Sequence, residues 1–218
     1  MAEITADHVH AVAHDDDDHG HDDHGFMTVE ENNENMKFGM WLYLASEIVI
    51  FSIMIVGYIL FRVNEPEIVA EVHHSLGIGL VTINTFILLA SSYFMVMGLR
   101  AMQKGDRQGM LRWIGATAIG GAIFVGGQYI EYMELAHLGI TLGYDSETIW
   151  STFGMRFYAP TAFHGAHVIV GVIWALVIMK RGNEGHYDNN PIGIEMFGLY
   201  WHFVDVVWIM LFTLIYLV

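Results

Sequence analysis

The chain contains no cysteine. Disulfides, thiolate nucleophiles, iron–sulfur ligation and cysteine-type zinc sites are therefore excluded together. Charge is scarce as well. Only 15% of the 218 residues are charged, where a soluble domain carries about 25%. Basic residues number nine, too few and too scattered to form a nucleic-acid surface. No glycine-rich phosphate loop and no hydrolase triad is visible.

What is abundant is apolar sequence, at 54% of the chain. Five runs approach or exceed the roughly 20 residues a helix needs to cross a bilayer: Phe38–Phe61, Leu76–Leu99, Trp113–Leu135, Tyr158–Met179 and Met196–Leu217. The expected fold is all-α, a polytopic bundle of five transmembrane helices, because backbone in lipid must satisfy its own hydrogen bonds. The breaks between runs carry Asn64, Pro66 and three glutamates, then Lys104-Gly105-Asp106-Arg107, then Asp145 and Glu147, then Gly182, Asn183, Gly185 and Asn189-Asn190-Pro191.

The formal charge of −15 belongs mostly to one end. Residues 1–35 hold eleven acids and no Lys or Arg, and six of the thirteen histidines fall in the first 24 residues. The sequence divides into a disordered acidic tail, 1–35, and a transmembrane domain, 36–218. The tail lacks the apolar stretch of a signal peptide. His14, His19, His21 and His24, interleaved with aspartates, are candidate metal ligands, since such tracts bind Zn, Cu or Ni. Seven Lys or Arg flank the spans on the N-terminal side (Lys37, Arg100, Lys104, Arg107, Arg112, Lys180, Arg181) against Arg62 and Arg156 opposite. The positive-inside rule then sets the N-terminus inside and the C-terminus outside.

Six ionisable residues fall within the runs: Glu47, Glu131, His164, His167, His202 and Asp205. Each would cost about 2.5–3.5 kcal/mol near a bilayer centre if left facing lipid. Helical rise puts Glu47, His202 and Asp205 at roughly 14, 9 and 14 Å from the inner face. It puts Gln128, Glu131, His164 and His167 at roughly 22, 27, 24 and 20 Å. Two polar layers are expected, an inner one of Glu47, His202 and Asp205 and an outer one of Gln128, Glu131, His164 and His167. Such groups can tie helices together, relay protons or bind metal. One metal reading uses Glu131, Glu134, His137, His164 and His167, although a di-iron carboxylate site needs two Glu-x-x-His motifs and only Glu134-x-x-His137 is present. Gly120-Gly121, Gly126-Gly127, Gly165 and Gly171 would allow close helix approach. Trp113, Trp150, Tyr158, Trp201 and Tyr216, near the run ends, suit interfacial anchoring.

Several ordered stretches resemble one family. Gly39-Met40-Trp41-Leu42-Tyr43-Leu44-Ala45-Ser46-Glu47, Asn84-Thr85 with Leu88-Leu89-Ala90-Ser91, and Gly105-Asp106-Arg107 with Met110-Leu111 come first. Gln128-Tyr129-Ile130-Glu131-Tyr132, Phe163-His164-Gly165-Ala166-His167-Val168, and the run from Tyr200 to Trp208 follow. Together they resemble subunit III of haem–copper terminal oxidases, in the five-span bacterial form and of the cytochrome c oxidase type. The resemblance covers residues 37–218. It implies a subunit of a proton-pumping complex that reduces oxygen to water in the bacterial plasma membrane. This chain would carry no redox centre; haem and copper would sit in oxidase subunits I and II, with cytochrome c as donor and a larger respiratory assembly as a further partner. Subunit III would bind phospholipid, with Arg181 near headgroups and Glu47 in the lipid region, and would support proton uptake. Some relatives carry a glutamate five positions before the Asn-Thr pair, where this chain has Gly79, so no role of that carboxylate carries over. The five-span form and a His-rich tail also occur in quinol oxidases of the same superfamily, and an independent membrane metalloenzyme remains the reading from a different class.

Overall fold

The structure, a computed structural model, describes residues 28–73, 77–137, 139–140 and 149–218. Among them the chain is helical and contains no strand. Helix α1 (Val29–Asn64) is followed by the short α2 (Pro66–His73), then α3 (Ile78–Gln103), α4 (Arg107–His137), α5 (Ile149–Asn183) and α6 (Ile192–Phe212), which ends in a π turn over Thr213–Leu217. Five helices are long and apolar enough to cross a membrane. This is a multi-pass membrane protein of the expected class. The tail histidines His14, His19, His21 and His24 lie outside the described residues.

The helices extend beyond the apolar runs, and local chemistry explains why. Helix α1 reaches back into the acidic stretch because Thr28 caps it: the Glu31 amide donates to the Thr28 hydroxyl at 3.2 Å and the Thr28 amide donates to the Glu31 carboxylate at 2.8 Å. Two orphan donors are satisfied reciprocally. Pro66 can start α2 because a first-turn residue has no intrahelical N–H bond to lose. Between α3 and α4 the chain reverses through Lys104, Gly105 and Asp106. Gly105 takes a left-handed φ of 76°, and the Asp106 carboxylate accepts from the Gly109 amide at 2.8 Å. A turn this short forces α3 and α4 to lie side by side and antiparallel.

Helices α3, α4, α5 and α6 pack in sequence, and α6 closes the ring against α3. Helix α1 packs on the outside of that ring, mainly against α5 and α6. Polar ties hold α1 at both ends. Lys37 pairs with Glu195 at 3.2 Å, and the side-chain amides of Asn33 and Asn190 bond to each other. At the other end Arg62 donates to the backbone carbonyls of Leu214 and Val218. Arg107 binds Asp188, which fixes the start of α4 to the α5–α6 connection. In that connection burial raises the Tyr187 phenol above its ordinary pKa, and the neighbouring Arg181 guanidinium partly offsets the rise.

Five of the six glycines singled out for close approach face other helices directly. A side chain at Gly120 would meet Ser91, at Gly121 Trp201, at Gly127 Asn84, and at Gly165 Gln128. Gly171 makes a fifth, against Trp201, whereas Gly126 faces open space.

Candidate functional site

The polar interior is organised by α6. Trp201, Asp205 and Trp208 recur at four- and three-residue intervals, which places them on one helical face. That face meets hydroxyls of α3. The Trp201 indole N–H donates to Ser91 Oγ at 3.0 Å, the Trp208 indole N–H donates to Thr85 Oγ1 at 2.9 Å, and Asp205 faces the Ser92 hydroxyl. Ser91 and Thr85 spend their own protons on the carbonyls of Leu88 and Val81, at 2.6 and 2.8 Å. Their oxygens are thereby left to accept from the indoles. The Trp201 ring also lies against Gly121 of α4 and Gly171 of α5, so one side chain touches three helices besides its own.

The second group joins α1, α5 and α6. The Phe163 carbonyl accepts from His167 Nδ1 at 2.8 Å. A carbonyl can only accept, so Nδ1 carries the proton and Nε2 is the atom aimed at Glu47. The separation from Glu47 Oε2 is 3.3 Å, and a bond across it needs one proton held between the two. The Tyr200 hydroxyl donates to the His167 carbonyl at 2.8 Å, and Phe51, Phe163 and Tyr200 surround the imidazole.

The third group lies between α4 and α5. Gln128 donates to the Thr161 carbonyl and to the Tyr132 hydroxyl, both at 3.0 Å, and Tyr132 donates to Thr161 Oγ1 at 2.8 Å. The Glu131 carboxyl, 2% exposed, faces the Tyr216 hydroxyl near the end of the chain. His164 has no exposed surface. It stacks on Trp208, centroids 4.8 Å apart, and meets the edge of Phe124 at 5.6 Å. Neither of its ring nitrogens has a hydrogen-bond partner among the described residues, so it serves there as an aromatic ring.

The expected two layers need redrawing. Glu47 meets His167, placed in the outer layer by the run ends, and not His202. The cause is the true helix ends. Counted from Val29, Glu47 lies about 27 Å along α1, and counted back from Asn183, His167 lies about 24 Å along α5. Their depths therefore match. Glu131 and His164 are both buried, as expected, but each has a different neighbour. His202 is half-buried and makes no hydrogen bond among the described residues. Arg181 is exposed at the end of α5 beside Tyr187.

The interfacial-anchor expectation fails for Trp201, Tyr158 and Tyr216, which are 1%, 4% and 1% exposed. Because α6 starts at Ile192, Trp201 sits well inside the bundle. Sequence reading passed over Ser92 and Thr161, and gave no partner role to Tyr200, Tyr216, Thr85 and Ser91, which receive these groups. Hydroxyl residues are ordinary in membrane helices. The available signal was that Thr85, Ser91 and Ser92 fall at near-helical spacing within one apolar run.

Asn84 supplies a test of this tight packing. Its amide donates to the Phe124 carbonyl at 2.8 Å, directly over Gly127. Gly127→Ala is expected to push that amide aside and to destabilise the bundle by about 1–3 kcal/mol. A thermal midpoint in mild detergent unchanged from the parent would contradict it.

Among the described residues no three His, Asp or Glu side chains come together as a metal-ligand group. Glu134 and His137 are exposed and His167 is engaged by Glu47, so the five-residue metal reading finds no common centre. What the geometry offers is a set of helix-to-helix ties, in which Trp201, Trp208, Gln128, Tyr132, Tyr200 and His167 are answered from neighbouring elements. The family model described as cytochrome c oxidase subunit III matches residues 16–218. A cytochrome c oxidase subunit 3 of Thermostichus vulcanus is 38% identical over 196 residues, covering 88% of this chain and 92% of that protein. One of Synechocystis is 37% identical over 201 residues, covering 91% and 79%. A quinol oxidase subunit 3 of Bacillus spizizenii is 30% identical over 201 residues, covering 92% and 95%. With a family match over nearly all of the sequence and a bundle whose inward polar groups mostly bind its own helices, the chain belongs to the cytochrome c oxidase subunit III family.

Proposed function

We propose that this chain is the non-catalytic third subunit of a proton-pumping cytochrome c oxidase in a bacterial plasma membrane. It braces the catalytic subunit I, with haem and copper held by subunits I and II. The observation that carries this reading is the chemistry of the interior. Gln128 and the Glu47–His167 pair are engaged by other helices of the same chain, and the buried Glu131 and Asp205 face Tyr216 and Ser92 of that chain, which is what a rigid scaffold needs. Cytochrome c as donor is favoured because cytochrome c oxidase relatives reach 37–38% identity, whereas quinol oxidase relatives reach 30–33%. Lys37, Lys104 and Lys180 at one end of the bundle support an N-terminus on the inner side. Arg181, exposed at that end, suits a phospholipid headgroup. Bracing a proton-uptake path of subunit I requires no titratable chain through this subunit.

The test is purification of the chain from native membranes in mild detergent. The expected result is recovery with a haem-bearing subunit and a subunit carrying a copper domain. A copper-free second subunit would move the assignment to a quinol oxidase. A chain recovered alone, with stoichiometric metal after deletion of the tail, would overturn it in favour of a metalloenzyme. Because the chain has no cysteine, single cysteines at Lys104 and Asn64, labelled from each side of sealed vesicles, test the orientation.

A further inference from the structure

Along the seam between α1 and α6 the helices do not close. One cavity of about 440 Å³ is lined by Lys37 and Trp41 of α1, Leu99 of α3, and Glu195, Leu199 and His202 of α6. A second, of about 310 Å³, continues from Trp41, Leu199 and His202 to Ile48 and Val206. On each helix the two together cover about 17 Å, or three turns. That is the footprint of a crossing helix.

His202 decides what fills it. It lines both cavities and makes no hydrogen bond among the described residues. The groove between α4 and α5, about 210 Å³, gives the contrast. Its inward polar groups, Gln128 and Tyr132, are already bonded to each other and to Thr161, and the remaining one, the Tyr129 phenol at the rim, is 64% exposed, so acyl chains can cover the groove floor without stranding a buried group. An acyl chain against His202 would leave the imidazole unanswered, and hydrocarbon offers neither donor nor acceptor. A protein helix can offer one. Trp41, Ile48 and Val206, 60%, 54% and 56% exposed, give the rim the apolar surface such a helix packs on.

The geometry points to the α1–α6 groove as the docking surface for a transmembrane helix of the haem-bearing oxidase subunit, which presents a hydroxyl, amide or carboxyl side chain to His202. This rests on the oxidase assignment above.

The experiment uses the whole oxidase in its native membrane. A photo-crosslinking benzoyl-phenylalanine replaces Ile48 or Val206 in the groove, or Ile119 on α4 or Ile173 on α5 as exposed controls, 63% and 56% exposed. Irradiation is expected to join the chain to the haem-bearing subunit from Ile48 and Val206 and not from the two controls. Adducts from Ile48 and Val206 to lipid only, or to a second copy of the chain, would overturn the proposal. So would adducts to the haem-bearing subunit from the controls alone. Independently, His202→Leu is expected to lower the retained ratio of this chain to haem at least several-fold through a detergent wash, and His202→Gln to keep it. Equal retention in both would overturn the role of His202. Failure of the unmodified chain to co-purify with any haem subunit would instead overturn the oxidase assignment, which separates the two failures.

Discussion

Trp201→Ala is expected to be among the most damaging single substitutions in this chain, at about 3–5 kcal/mol. The indole is 1% exposed, donates to Ser91 of α3, and lies against Gly121 of α4 and Gly171 of α5. Apolar transfer contributes little between helices that already sit in lipid; packing and interhelical hydrogen bonds carry association there. The cost of truncation is therefore a cavity where four helices meet, bounded by glycines that cannot fill it, together with a Ser91 oxygen that loses its donor. Filling the same site from the opposite wall tests the geometry differently. Gly171→Val puts carbon into the space the indole occupies, and overpacking of this kind costs about 1–3 kcal/mol. Detergent-dependent or thermal unfolding of both variants, followed by helical circular dichroism, provides the measurement. If Trp201→Ala unfolds within about 1 kcal/mol of the parent, the ring is not the keystone its contacts make it.

The class of the fold was legible because lipid leaves few options. Long apolar runs without cysteine and with little charge can only be helices, and short charged turns such as Lys104-Gly105-Asp106-Arg107 mark their ends. The buried polar residues were legible for the same reason, since Glu47, Glu131 and Asp205 stand out against apolar neighbours and all three proved to be buried. Their partners were not. Pairing between helices depends on the rotation and the true start of each one, and hydropathy reports neither. Thr28 begins α1 well before the apolar run does, and α5 runs on to Asn183; together these ends bring Glu47 to the depth of His167. Trp201 was misplaced by the same effect: a residue near the edge of an apolar run is near an interface only if the helix ends there, and α6 continues outward to Ile192. Tyr216 does lie at a helix end, and it is buried there by packing against Phe157 and Trp208. His202 shows the remaining gap. Its position on α6 was evident, while its lack of a hydrogen bond appears only once every neighbouring helix is in place.

The Glu47–His167 pair is expected to show the largest coupling between two side chains in the bundle. Truncating one member of a buried hydrogen-bonding pair leaves the other without a partner, at about 1–3 kcal/mol. Both side chains are 11% exposed, so water reaches neither freely. Glu47→Ala and His167→Ala should each be severe, yet the double variant should be much milder than their sum, with a coupling of about 0.5–3 kcal/mol in a double-mutant cycle. Glu47→Gln should fall between, because an amide can still bond His167 Nε2. Simple additivity would mean that the two side chains do not act on each other. Replacing both with apolar residues of similar volume, Glu47→Met with His167→Leu, separates structure from proton chemistry. A buried pair exchanged for well-packed apolar side chains is often neutral or stabilising, so a purely structural tie predicts an assembled oxidase with unchanged turnover and unchanged proton uptake. A stable, fully assembled double variant whose proton uptake slowed would show that the proton shared between Glu47 and His167 takes part in the work of the complex, and the scaffold reading of α1 and α5 would have to give way at that point.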